Sequence, residues 1–314
     1  MNVWEEIKTW WRTGGVLLRL IIINVAVFLA LLFVGLGAMF VVGPVPEGTK
    51  AGDLATLWMH QNVLPWLAST SDLTSLPFRA WTIVTYMFTH EGVLHLFFNM
   101  LMLWFSGRLF SDLLGERRLF GNYLLGGLSG FLLFLLFSNV PALRSLTDGG
   151  LILGASASVT AIFVGVAVYQ PELVVRLLLF GAIRLKWLAL IFLLLDLISI
   201  RNGDNSGGHI AHLGGALYGY MAAAQLKKGN DWSLGFINGL ERIGSALRLR
   251  RGARLKVVKT PRGKRVSDAD FNAARNAQQS NIDAILDKIS RSGYESLSKA
   301  EKDILFKASN EGKR

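Results

Sequence analysis

Leu151-Ile-Leu-Gly-Ala-Ser-Ala-Ser-Val-Thr160 opens an apolar segment that runs on to residue 168. Ser156 is flanked by Gly154, Ala155 and Ala157, so little side-chain bulk hinders approach to its hydroxyl. The same small residues recur wherever membrane helices pack closely. Alone, the stretch therefore reads first as helix packing and only second as the seat of a nucleophile. What the rest of the chain brings near Ser156 decides between the two.

The surroundings are those of a membrane protein. Of 314 residues, 52% are apolar, and mean hydropathy is positive at +0.40. Apolar runs at 16–42, 93–110, 119–137, 151–168, 185–200 and 208–226 are each long enough to cross a bilayer or nearly so. They predict an all-α membrane protein with six transmembrane helices over residues 16–226, preceded by an amphipathic lead-in at 1–15 with three tryptophans. The run beginning at Val16 is too long for the core of a cleavable signal and has no clear cleavage site. Between the first two runs, residues 43–92 hold four prolines among apolar side chains. They read as a structured loop lying partly in the interface. Residues 173–184, with Arg176 and Arg184, read as an interfacial connection.

Charge sets the orientation. With the N-terminus inside, the inner segments 1–15, 107–118 and 170–186 hold eight Lys or Arg, against four in the longer outer segments. Residues 227–265 carry 12 basic and 2 acidic side chains, nearly all of the net +11, and also fall inside. Both termini are expected in the cytoplasm, with 227–267 a polybasic linker against anionic headgroups and no nucleic acid as partner. The tail 268–314 is expected to form a small helical hairpin. Ile282, Ile285, Leu286 and Ile289 recur at helical spacing, Gly293 interrupts, and Ser298-Lys-Ala-Glu301 makes a capping box.

With no cysteine, disulfides, thiolate catalysis and cysteine-ligated metals are excluded. The runs at 93, 151 and 208 enter from the outer side and run parallel. Ser156 and His212 each lie four or five residues below such a start, about 6–8 Å deep. Gly215 and Gly219, with Gly214, give the helix bearing His212 a face for close contact. A Ser–His pair is chemically sufficient for acyl transfer, the imidazole taking the hydroxyl proton and returning it to the leaving amine. His95 and Asn99, four residues apart at the same depth, can donate to an oxyanion, as can the Ser156 N–H; interhelical bonding is the alternative for this pair. No carboxylate falls at matched depth in that group of helices. Asp196 stands towards the outer end of the fifth run, either a third member or a hydrogen-bonding residue. His90 reads as organising the loop, His209 as an entrance or loop-bonding residue, and His60 as surface. A metal site at the histidines is the rival reading, but HExxH is absent and nearby acids are scarce. The hydrolase elbow GxSxG fails because Ser158 replaces its second glycine. Ser158 itself faces about 200° away from Ser156 and reads as packing.

Gly154-Ala-Ser156, His95-Leu-Phe-Phe-Asn99 and Ala211-His-Leu-Gly-Gly-Ala-Leu-Tyr-Gly219 together resemble the rhomboid family of intramembrane serine proteases. The resemblance covers residues 16–226. It implies Ser156 as nucleophile, His212 as general base, His95 and Asn99 as oxyanion donors, transmembrane proteins as substrates, and neither metal nor cofactor. It also implies a water-accessible cavity open to the outer side and a first loop, holding Trp81, partly in the bilayer. The chain departs from the family pattern in Ala157 after the serine, in Trp81-Thr82 where many members have Trp-Arg, and in Thr160 where an aromatic often packs on the histidine. A catalytically silent rhomboid-like protein that holds membrane clients is the alternative. Transport is disfavoured, since no halves with matching broken helices appear.

Overall fold

The computed structural model describes residues 3–41, 50–147, 150–177, 181–202, 205–250 and 268–311. The protein is mostly helical. A lead helix α1 (Val3–Thr13) stops at Gly14-Gly15, and α2 (Val16–Val41) follows, its N-terminus capped by the Glu116 carboxylate, which accepts the Val16 N–H at 3.1 Å. The long loop holds α3 (Ala51–Asn62), a strand β1 (Ser69–Thr70) and the single turn α4 (Thr82–Thr85). Then come α5 (Val93–Leu114), α6 (Glu116–Asn139), β2 (Leu151–Ile152), α7 (Ser156–Tyr169), β3 (Val174–Leu177), β4 (Gly181–Arg184), α8 (Leu185–Asn202), α9 (Ser206–Leu226) and α10 (Trp232–Arg250).

Among the described residues, three helices, α2, α5 and α6, are long and apolar enough to cross a membrane by length and composition; α7 is apolar but has only 14 residues. Large apolar side chains on α2, α5 and α8 face outward, Phe40 being 91% exposed. Such faces suit lipid rather than water.

Close backbone approach builds the centre. A methyl placed on Gly215 would lie 2.1 Å from the Ala157 carbonyl oxygen, and one on Gly219 2.2 Å from that of Ala161. From the other side, methyls on Gly126 and Gly130 would meet the Ala161 and Ala157 Cβ atoms at 2.3 and 2.5 Å. Thus α7, almost fully buried, is clasped between α6 and α9, with glycine and alanine at the points of closest approach. The contact face expected at Gly215 and Gly219 does meet the helix that bears Ser156. Ser158 is 1% exposed and turned towards Gly127 of α6.

Four expectations need correction. The run 151–168 is not one helix: β2 pairs antiparallel with β1 (Thr70↔Leu151, Ser69↔Ile152), and helix begins only at Ser156. Gly154, at φ +117°, reverses the chain between them, a conformation L side chains rarely adopt. Residues 173–184 form a hairpin, β3 against β4, so the fold is not purely helical. The ends of α8 and α9 lie two residues beyond their apolar runs, at Asn202 and Ser206. Finally, 232–250 of the supposed linker is helix α10, fixed to α6 by the Arg118–Asp231 ion pair, by Asn122 donating to the Ser233 hydroxyl, and by Arg117 with Glu241. Within the linker, 251–267 lies outside the described residues.

A separate compact unit, residues 252–314, holds α11 (Asp268–Ser292) and α12 (Lys299–Glu311). Between them Gly293 adopts φ +75°. The Ser298 N–H reaches Glu301 at 2.7 Å and the Glu301 N–H reaches the Ser298 hydroxyl at 3.4 Å, the reciprocal bonds of a capping box. Lys288 of α11 pairs with Glu301 at 2.8 Å.

Candidate active site

A cavity of about 220 Å³ gathers His95, Asn99, Ser156 and His212, residues up to 117 positions apart in the chain. Leu153, Val159, Phe163 and Phe192 give it apolar walls, and Asn205 and Gly208 line it from the start of α9. All four residues singled out for chemistry therefore share one space.

Ser156 is the first residue of α7, so its N–H is among the unpaired donors of a helix N-terminus and is available to a developing anion. The backbone that presents it is held by the loop ahead of α5. Tyr86 accepts the Gly154 N–H through its carbonyl at 2.9 Å, and His90 accepts the Ala155 N–H at Nε2, 3.3 Å away. Tyr86 is itself fixed, its hydroxyl donating to the Gly127 carbonyl at 2.6 Å. A methyl on Gly154 would sit 2.8 Å from His95 Nε2 and 3.7 Å from Ser156 Oγ. The missing side chain thus leaves the space in which the ring nitrogen and the hydroxyl face a common ligand. Asn99 donates one amide hydrogen to the His95 carbonyl at 2.9 Å, which leaves its second hydrogen for the cavity.

His90 does more than organise the loop. It is 1% exposed, lies edge-on to His95 at 5.0 Å, and reaches under the backbone of Ala155. Burial, with the His95 ring beside it, pushes its pKa down from 6.5 to about 4. Between those values the unfolded chain binds more protons than the folded one. The stability from a neutral His90 is complete above about pH 6.5 and drains away as pH falls towards 4. The thermal midpoint should therefore drop across that window, and His90→Gln, which keeps an acceptor but cannot titrate, should flatten the drop. An equally steep drop in His90→Gln would sink this account. His60, expected at the surface, is half exposed and pairs with Glu91 at 2.7 Å.

The largest departure from expectation is Asp196. Its Oδ1 lies 2.9 Å from His212 Nδ1 and 2.7 Å from His209 Nδ1. A carboxylate does stand at the depth of the histidine. Asp196 is six residues before the end of α8 and His212 six after the start of α9, about 9 Å along each helix. The apolar runs hid this by ending before the helices do. An acid inside an otherwise apolar run, Leu195-Asp-Leu197, was the available signal. Phe192, one turn earlier on α8, stacks on the His212 ring at 6.3 Å and 29°. The aromatic support that Thr160 cannot offer from α7 comes from α8 instead. Nothing in the apolar periodicity of α8 marks Phe192 for that contact.

Comparisons with known proteins show what the chain is similar to. Residues 77–228 match the family model described as Rhomboid domain, and residues 267–311 match a family of unknown function, DUF6576. RHOMBOID-like protein 12, mitochondrial, of Arabidopsis thaliana is 29% identical over 160 residues, 48% of this chain and 48% of its own. Rhomboid protease GluP of Bacillus subtilis (strain 168) is 30% identical over 147 residues, 46% of this chain and 26% of its own. Inactive RHOMBOID-like protein 8 of Arabidopsis thaliana is 32% identical over 100 residues, 32% of this chain and 27% of its own. The chain spans about half or less of the length of these curated relatives.

Proposed function

We propose that this chain, which carries a rhomboid domain over residues 77–228, is an intramembrane serine endopeptidase acting on transmembrane proteins near their outer boundary. The observation that carries the reading is the single cavity holding Ser156, His212, His95 and Asn99, with Nδ1 of His212 already engaged by Asp196. In this reading α2, α5, α6, α7, α8 and α9 are six spans with both termini cytoplasmic. The basic stretch after α9 faces anionic headgroups, and 268–314 forms a soluble helical tail.

With Nδ1–H donated to Asp196, His212 keeps the Nε2 lone pair for the Ser156 proton. Ser156 Oγ attacks the scissile carbonyl carbon as that proton moves to Nε2. Charge on the carbonyl oxygen is met by the Ser156 N–H, His95 and Asn99, donors of a kind worth about 10²–10³ each in rate. His212 then returns the proton to the leaving amine, and water hydrolyses the acyl ester by the same route. Asp196 and Phe192 act as positioning residues, holding the ring by its edge and by its face. No cofactor is needed for these steps.

A substrate route is at hand. A second cavity of about 400 Å³, between α5 and α8, is lined almost wholly by apolar side chains, among them Leu101, Trp104, Phe105, Leu188 and Ile191. Met102, Phe163 and Phe192 line both cavities, so an apolar helix lodged between α5 and α8 would abut the reacting groups. To present an extended peptide it must unwind locally, so small or helix-breaking residues near the cut are favoured.

The inactive Arabidopsis relative favours one other reading, a silent rhomboid-like protein that binds membrane clients. A serine-reactive fluorophosphonate distinguishes them. Detergent-solubilised wild type should be labelled and Ser156→Ala should not. Labelling that survives Ser156→Ala would remove the assigned nucleophile, and a wild type that neither labels nor cleaves model substrates would favour the silent binder.

A further inference from the structure

We propose that Asp196, His209 and His212 also form an inhibitory site for a divalent transition-metal ion, with zinc the best fit. The consequence of binding, though not the binding itself, rests on the role given to His212 above. One ring nitrogen each of His209 and His212 and an Asp196 oxygen lie within 4.8 Å of one another, and both Nδ1 atoms are within 2.9 Å of Asp196 Oδ1. Asp196 is 5% exposed, and its Oδ2, fully buried, makes no hydrogen bond among the described residues. A buried carboxylate oxygen with no donor is an unmet charge that a cation would answer. Access exists, because the His209 and His212 side chains remain 21% and 13% exposed and His212 borders the cavity.

Two imidazole nitrogens and one carboxylate oxygen, with the cavity offering room for a fourth ligand, are a donor set suited to zinc. Tetrahedral zinc, with bonds of about 2.0–2.1 Å, holds its ligand atoms about 3.3 Å apart. The contacts of 2.7 and 2.9 Å are therefore those of the proton-bridged, metal-free cluster. Binding would part the side chains by about half an ångström and draw in the second carboxylate oxygen.

The inhibition follows from tautomers. In the proton-bridged state His212 carries its hydrogen on Nδ1 and its lone pair on Nε2. With a metal on Nδ1, the neutral ring carries that hydrogen on Nε2, the proton having moved through solvent, and no lone pair remains to receive the Ser156 proton. The metal silences the base without displacing it, and no redox change is involved. His209 is the residue this site needs and the proposed peptide hydrolysis does not.

The test uses the full chain in detergent. Ser156→Ala is titrated with zinc chloride against a fluorescent zinc indicator, beside Ser156→Ala/His209→Gln and Ser156→Ala/Asp196→Asn. One equivalent is expected to bind, at least tenfold more weakly in both double variants. In parallel, fluorophosphonate labelling of wild type should fall at saturating zinc and return with a chelator. His209→Gln, scored against its own metal-free labelling, should keep its signal at the zinc concentration that silences wild type. No binding to Ser156→Ala, or equal binding by the double variants, would overturn the site. Undiminished wild-type labelling at saturating zinc would overturn the inhibitory role. If wild type never labels, the protease reading fails while the titration alone decides the metal site.

Discussion

His212→Ala is expected to lower cleavage of a transmembrane model substrate by about 10⁴-fold or more, while Asp196→Asn is expected to fall short of that, at about 10²–10⁴-fold, by analogy with residues that act as a catalytic unit. The first change removes the group that takes the Ser156 proton in the proposed mechanism. The second keeps the volume at 196 but removes the charge that faces the imidazolium formed during attack, 2.9 Å from His212 Nδ1. Because the carboxylate is buried behind the imidazole and does not line the cavity, the loss should fall on kcat, with KM little changed. Asp196→Glu should recover part of it if the longer arm still reaches the ring. Measuring kcat and KM for the three variants in reconstituted vesicles, beside a thermal midpoint for each, decides the matter. A Asp196→Asn protein as fast as wild type would return Asp196 to a merely structural role. One whose KM rose with kcat unchanged would place it in substrate binding.

Gly215→Ala is expected to be the most damaging small change in the membrane unit. Its methyl would lie 2.1 Å from the Ala157 carbonyl oxygen and 3.2 Å from Ala157 Cα. The atoms it meets are helix backbone, which cannot rotate away as a flexible side chain would, so α9 must move off α7. Overpacking of a tight core costs about 1–3 kcal/mol, and a backbone clash belongs at or above the upper end. Movement there also displaces His212, one turn earlier on α9, from Ser156, beside Ala157. Loss of fluorophosphonate labelling together with a lowered thermal midpoint is the expected pair of results. Gly239→Ala in α10 is the control. No atom lies within 4 Å of its added methyl, and alanine is the better helix former by about 1 kcal/mol. If Gly215→Ala and Gly239→Ala behave alike, the clasp between α7 and α9 is not what holds the centre together.

The primary sequence by itself determined the membrane character, the positions of the apolar runs to within a few residues, the glycine face at Gly215 and Gly219, and the candidates Ser156, His212, His95 and Asn99. Each of these is local. Composition, spacing along one helix and short motifs record them directly. Tertiary structure alone decided that Asp196 reaches both His209 and His212, that Phe192 rather than a neighbour of Ser156 supports the histidine, and that His90 props the Ala155 N–H. It also decided that β1 anchors β2 ahead of Ser156. The physical reason lies in the solvent. In water, an apolar stripe shows which face of a helix turns inward. In a membrane the lipid-facing and protein-facing sides are both apolar, so periodicity does not set the rotation of α8 or the partner it meets. That rotation is fixed only by contacts between helices, Phe192 against Phe163 and His212 and Asp196 against His209 and His212, and with it is fixed which carboxylate stands beside the histidine.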